Sequence, residues 1–302
     1  MLPKIIQAAQ ACAIAIALAG CATSSAPPPP PARQAAHGGS GVFDVGLAGQ
    51  AGAFEAYTRR AAAIDDSFSG PGEISSGLLA GAGYEPRQLE SSMIAYAALA
   101  AMQEPGFVAG VRSKGSALAR RLAADPDAAL DLPGADAAAA RANAALARRG
   151  EALAEAGAKV RKAAYSVQRQ PWSRARISNS AQLAAVKAAA GYRADGGDRA
   201  RLAAAVAEGG RRGGTSPVVS RAVSVAALTV LGQDGAARSL MTEPRSSDCL
   251  RRAKLNFHQC LAAAGTHYED IYCLGLHAMA DPGQCVVEAT RPARVIRRAS
   301  AD

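Results

Sequence analysis

Apolar positions recur at helical spacing from Phe43 to about Gly235, and glycine or proline punctuates them at intervals. Phe54, Tyr57, Ala61 and Ile64 fall on one helical face ahead of Asp65-Asp66, and Ser69-Gly70-Pro71-Gly72 breaks that run. Glu85 to Gln103 is a second amphipathic stretch, with Leu89, Ile94, Ala97 and Ala98 as its stripe, halted by Pro105-Gly106. After Pro171-Trp172, Ser178 or Ser180 is placed to cap a helix over Ala181–Ala190, which Gly191 ends. Arg199–Ala207 is a shorter helical piece that stops at Gly209-Gly210. Pro217–Leu231 carries Val218, Val219, Ala222, Val225, Leu228 and Val230 and reads as a buried core helix, because Ser220, Arg221 and Ser224 interrupt it.

The strongest periodicity follows Pro133-Gly134. Ala139, Leu146, Leu153, Val160 and Val167 recur every seven residues, Ala142, Ala156 and Ala163 sit three positions later, and Gly150 and Gly157 line the flank. Small residues there let helix axes approach closely, while Arg149 interrupts the second stripe. The seam therefore predicts antiparallel packing inside a bundle. The alternative is a partner-binding or dimer seam through Leu146, Leu153 and Val160.

Composition sharpens this picture. Alanine supplies 76 of the 302 residues, and aromatic residues only 4%. Alanine favours helices and disfavours strands, which weighs against an all-β architecture. The predicted fold is all-α: an irregular helical bundle on a flexible N-terminal tether, finished by a disulfide-stapled αα-hairpin.

The first residues read as an address. A short region with Lys4 precedes the apolar stretch Ile5–Ala19, too short for a ~30 Å hydrocarbon core and suited to a signal peptide. Leu18-Ala19-Gly20-Cys21 closes it and resembles the lipobox of bacterial lipoproteins. That resemblance implies cleavage before Cys21, a diacylglyceryl group on its thiol and acylation of the new amine. Two or three acyl chains anchor a protein stably. Ala22 stands where enteric-type lipoproteins destined for the inner membrane carry Asp, so the resemblance implies the outer membrane, at its periplasmic face. Pro27–Pro31 favours polyproline II and Gly38-Gly39-Ser40-Gly41 follows, giving a tether that reaches about 60 Å at ~3.1 Å per residue. The expected organisation is a signal peptide over 1–20, a tether over 21–42, an alanine-rich helical domain over 43–240, and a four-cysteine hairpin with a basic tail over 241–302, packed on the preceding helices.

Beyond Cys21 the cysteines are Cys249, Cys260, Cys273 and Cys285, all within the last 54 residues. In an oxidising compartment they are disulfide candidates. The pairs 260/273 and 249/285 are concentric about Gly265-Thr266-His267, the turn between two helical stretches. Folding there predicts nested bonds Cys260–Cys273 and Cys249–Cys285. Cys273 and Cys285 are twelve residues apart and would diverge on one unbroken helix, so Asp281-Pro282-Gly283 is expected to end that helix and turn Cys285 back. Each bond stabilises by roughly 3 kcal/mol through constraint of the unfolded chain. The metal alternative uses Cys273, His277, His258 and Cys260, with Cys273 and His277 at i,i+4, but lacks the close CxxC pairs of structural zinc sites.

His267, Glu269 and Asp270 gather at the turn and read as a solvated loop, with acid–base chemistry as the alternative. HExxH, SxxK, GxSxG and P-loop signatures are missing from the sequence. The formal charge is +9, with Arg211-Arg212 and the tail Arg291, Arg294, Arg297 and Arg298 as basic clusters, yet stacking aromatics for nucleic acid are scarce. No cofactor and no nucleic acid are expected. The expected role is a non-catalytic lipid-anchored scaffold or adaptor for an envelope component. The alternatives are an envelope hydrolase with a site built from distant residues, Glu269 among them, and a small-molecule or lipid binder.

Overall fold

A computed structural model describes residues 45–292 apart from 116, 190 and 193. The signal peptide, Cys21, the tether and Arg294, Arg297 and Arg298 lie outside the described residues. The described residues form helices and no strand, in the order α1 (Val45–Ala62), α2 (Pro71–Ala82), α3 (Pro86–Ala101), α4 (Pro105–Lys114) and α5 (Ala117–Ala124). A 3-10 turn at Pro126–Asp131 leads to the long α6 (Ala135–Val167), and a second at Pro171–Arg174 leads to α7 (Ser180–Ala188) and α8 (Gly196–Ala207). Then come α9 (Pro217–Val230), α10 (Asp234–Ser239), α11 (Pro244–Ala263), α12 (His267–Cys273), a π-helical stretch Leu274–Ala280, and α13 (Asp281–Ala289).

Proline starts helices here as much as it stops them. Pro71 and Pro105, which end the preceding apolar runs, stand at the first turns of α2 and α4, where a missing N–H costs nothing. Side-chain caps complete several starts: Glu85 accepts from the Gln88 N–H, Ser216 from Val219, and Glu243 from Arg245 and Ser246. Asp195 and Asp198 form a reciprocal capping box at α8.

α3 is the centre of the bundle. Every side chain from Ser92 to Ala101 is buried, and α1, α6, α9 and α11 surround it. That all-round burial is possible because five of the ten residues from Ser92 to Ala101 are alanine, with Met93, Ile94, Tyr96 and Leu99 as its bulk. α11 to α13 belong to the same compact unit as the helices before them. Lys254 of α11 shows how closely they join: its buried ammonium donates to the Ala82 carbonyl at 2.6 Å and lies 4.6 Å from the Tyr84 ring centroid.

The heptad seam is internal. Ala139, Leu146, Leu153, Val160 and Val167 are all buried, against the chain's own C-terminal helices. Leu146, Leu153 and Val160 are therefore not a partner surface, which corrects that alternative. Two glycine pairs set the approach. A Cβ built on Gly157 would stand 2.6 Å from the Gly275 oxygen, and one on Gly275 only 2.7 Å from the Gly157 oxygen. Gly150 and Gly283 repeat the relationship at 2.9 and 2.8 Å, in the reverse chain order that marks antiparallel crossing. Arg149 finds a role beside the seam, reaching the Tyr96 hydroxyl and the buried Glu55 carboxylate.

Both nested disulfides are present, Cys249–Cys285 and Cys260–Cys273, with Cα separations of 5.7 and 5.6 Å. The route to them differs from expectation in one respect. Asp281-Pro282-Gly283 does not end the helix; the winding runs from His267 through to Ala289. Twelve residues of α-helix rotate the later side chain by about 120°, but a π-turn inserts about one extra residue and takes back about 100°. The π-stretch thus returns Cys285 to the face of Cys273, towards α11.

Candidate functional site

The exit of α6 and the α11–α12 turn are fastened together by backbone. After α6 the chain makes the 3-10 turn at Pro171, where the Ser173 hydroxyl donates to the Val167 carbonyl at 2.6 Å and Arg174 Nε to the Gln168 carbonyl at 2.7 Å. It then extends, so that Arg176 bridges Thr266 and the Ile177 N–H donates to the Gly265 carbonyl at 3.1 Å. Trp172 and His267 meet across this join with ring centroids 6.2 Å apart.

A trough lies over the join. One end, of about 340 Å³, is walled by Tyr165 of α6 and by Tyr268 and Tyr272 of α12, with the Cys260–Cys273 bond beneath. Tyr268 and Tyr272 share a face because they are four residues apart on one helix. Tyr165 and Tyr272 pack edge to face, 6.4 Å between centroids at 85°. The adjoining end, of about 420 Å³, is lined by Arg174, Arg176, Gly265 and Thr266, and the two ends share Gln168, Ala263, Tyr268 and Glu269. Tyr165 is 62% exposed, whereas the other described aromatic residues are buried or half-buried. Tyr57, Tyr84 and Tyr96 are core, and Tyr192 lies under the Arg60 guanidinium. The remaining three tyrosines and the lone tryptophan gather at this trough or its join.

Beneath the trough lies a buried polar layer. Asn179 donates its amide to the carbonyls of Leu261 and Ala264, at 3.0 and 2.8 Å, and to Asp270 Oδ1 at 3.1 Å. Asp270 is fully buried, so the turn is not simply the solvated loop that its acidic residues suggest. Burial raises its carboxyl to about 7, against the lowering from Asn179 and with a further rise from Glu269. Asp270 Oδ2, Asn179 Oδ1 and Thr266 Oγ1 have no hydrogen-bond partner among the described residues. Glu269 stays at the surface layer and accepts the Gly265 N–H at 2.7 Å.

Comparison with protein-family models, curated proteins and solved structures finds no match. The site therefore has to be read from its own chemistry.

The metal alternative is corrected by the sulfur bonding. Cys260 and Cys273 are joined to each other, so neither thiolate is free to ligate. His277 Nδ1 instead faces Asp281 Oδ2 at 2.8 Å, and His258 is partly buried, its pKa lowered chiefly by that burial. No group of three or more His, Cys, Asp or Glu side chains placed to hold a metal occurs among the described residues. Arg211 pairs with Glu104 and Arg212 with Glu151, which uses that basic cluster in local ion pairs. A second cleft of about 410 Å³ lies over Cys249–Cys285, with Glu243, Glu288, Arg245 and Arg291 as its mixed charges.

Tyr165, Tyr268, Tyr272, Arg174 and Arg176 were not among the residues that spacing singled out. The sequence does hold a signal for part of the set: Tyr268 and Tyr272 at i,i+4 in an aromatic-poor chain.

Proposed function

We propose that this chain is a lipid-anchored envelope lipoprotein of the outer membrane's periplasmic face, a non-catalytic adaptor that docks a partner through the tyrosine trough. The observation that carries the adaptor reading is the gathering of exposed Tyr165, half-buried Tyr268 and Tyr272, and exposed Arg174 and Arg176 at one concavity, residue types that dominate binding energy at protein interfaces. The anchor rests on the lipobox-like Leu18-Ala19-Gly20-Cys21 and the proline tether after it. Two disulfides are in keeping with an oxidising compartment. No helix among the described residues is long and apolar enough to cross a membrane, in keeping with attachment by lipid.

Metabolic labelling with a radioactive fatty acid tests the anchor. Label on the native chain and none on Cys21→Ser, which moves to the soluble fraction, is the expected result; an unlabelled native chain would overturn it.

A second reading draws on Asp270 and Glu269. A carboxyl raised by burial beside a second carboxylate nearer the surface is the raw material of general acid–base hydrolysis. Release of soluble fragments from purified cell wall by the native chain and not by Glu269→Gln would favour that hydrolase over the adaptor.

A further inference from the structure

The charge around the trough narrows what docks there. Arg174 and Arg176 line its polar end; beyond the lining, Arg161 and Lys162 lie on the same face of α6 as Tyr165, at i−4 and i−3, and Arg169 follows just past the end of that helix. All five are exposed, and none makes an ion pair among the described residues. Elsewhere, Arg59, Arg60, Arg141, Arg148, Arg149, Arg211 and Arg212 face carboxylates of the chain itself, while Arg87, Arg112, Arg120, Arg199 and Arg252 are exposed and likewise without an ion pair among the described residues. The one acid in the trough, Glu269, is already bonded to the Gly265 N–H. Arg174 and Arg176, beside one carboxylate already bonded to backbone, give the trough a positive end next to its tyrosine-walled end.

From this juxtaposition we infer that the trough binds an acidic peptide segment of a partner protein, with an apolar side chain among Tyr165, Tyr268 and Tyr272 and its carboxylates on Arg174 and Arg176. The inference rests on the adaptor reading and gives its partner a chemistry. Shape selects a peptide over the other anionic candidates. Two adjoining hollows of about 340 and 420 Å³ sharing four residues form an elongated site, far larger than a single phosphate or carboxylate needs. A bilayer surface would need aromatic tips that project outward. Here Tyr165 and Tyr272 pack edge to face as walls of a concavity, an arrangement suited to enclosing one side chain. Planar guanidinium groups take carboxylates bidentately, and the remaining cations speed encounter with an acidic chain.

The test is fluorescence anisotropy on the full chain in detergent, with a labelled synthetic peptide of leucines followed by glutamates, and the same peptide with lysine for glutamate. Vesicles of phosphatidylglycerol are the third probe, offered to full-length Cys21→Ser so that the anchor does not contribute. The acidic peptide should bind, weaken as salt rises, and lose at least about tenfold in affinity with Arg174→Glu plus Arg176→Glu. Tyr165→Ser, at a position already largely exposed, should weaken it with no change in melting behaviour. Equal binding of the lysine peptide, no binding of the acidic one, or unchanged affinity in these variants would overturn the inference. Vesicle binding that these substitutions abolish, without peptide binding, would overturn it in favour of a lipid surface. A chain that binds peptide but carries no acyl group would leave this inference standing and remove the anchor alone.

Discussion

The Tyr57 hydroxyl donates to the Ala278 carbonyl at 2.9 Å, 221 residues along the chain, and the donor that an α-helix would have offered that carbonyl is Pro282. Proline has no N–H, so the α-type bond to that oxygen cannot form, and in the π-helical register of this stretch the i+5 residue is Gly283. The carbonyl is buried, and the Tyr57 hydroxyl gives it a donor from α1. The Tyr57 hydroxyl is itself held well above its usual titration range, by burial first and by Tyr84 second, and so stays a donor.

Tyr57→Phe removes that donor and little volume. It should cost about 1–3 kcal/mol in urea unfolding. In a Pro282→Ala background, where residue 282 regains an N–H, the same substitution should cost measurably less. Additive losses across the double-mutant cycle would show that the hydroxyl and the proline are energetically unconnected.

Replacing Gly157 or Gly275 by alanine forces backbone apart at the α6 crossing. Each should destabilise by about 1–3 kcal/mol or more, since the neighbouring atoms are main chain and have no rotamer to change. Gly72→Ala is the control. Its Cβ meets nothing within 4 Å, and a change of no more than about 1 kcal/mol, in either direction, is expected by the same denaturant titration.

The two disulfides should differ in worth. Cys249–Cys285 spans 36 residues and Cys260–Cys273 spans 13. Loop-closure entropy then makes the outer bond worth about 0.9 kcal/mol more than the inner one, on a base of roughly 3 kcal/mol. Thermal melts of the paired Cys→Ser variants measure the difference, and equal losses would point to native-state packing instead.

Asp270 predicts a pH dependence. Its folded carboxyl titrates near 7 and its unfolded one near 3.8, so between those values the native state holds a proton that the unfolded chain releases. The contribution of Asp270 to stability is fully present below about 4 and declines as pH climbs to about 7. Asp270→Asn should flatten that decline and be the more stable form at pH 8. A native chain whose stability does not fall faster than that of Asp270→Asn over this window would contradict the assignment.

Much of the architecture was legible in local spacing. The sevenfold repeat from Ala139 to Val167 marked a buried seam, and Gly150 and Gly157 marked where another helix would come close. The disulfide pairing was legible because concentric positions about one turn leave a hairpin little choice. The π-stretch was not. Gly275 within it and Gly283 beyond it meet α6 at close quarters, and to a local reading Asp281-Pro282-Gly283 looks like a stop.

The amino-acid sequence by itself determined that the chain is helical, where its long seam runs and which cysteines meet, because each of these follows from periodicity or from distance along the chain. Tertiary structure decided the rest. Only packing placed Tyr165 opposite Tyr272, buried Asp270 while leaving Glu269 at the surface, and set Arg174 and Arg176 at the trough without an ion pair among the described residues. Those are properties of neighbours distant in sequence, and burial, which sets both the Asp270 carboxyl and the apolar floor of the trough, exists only once such neighbours have come together.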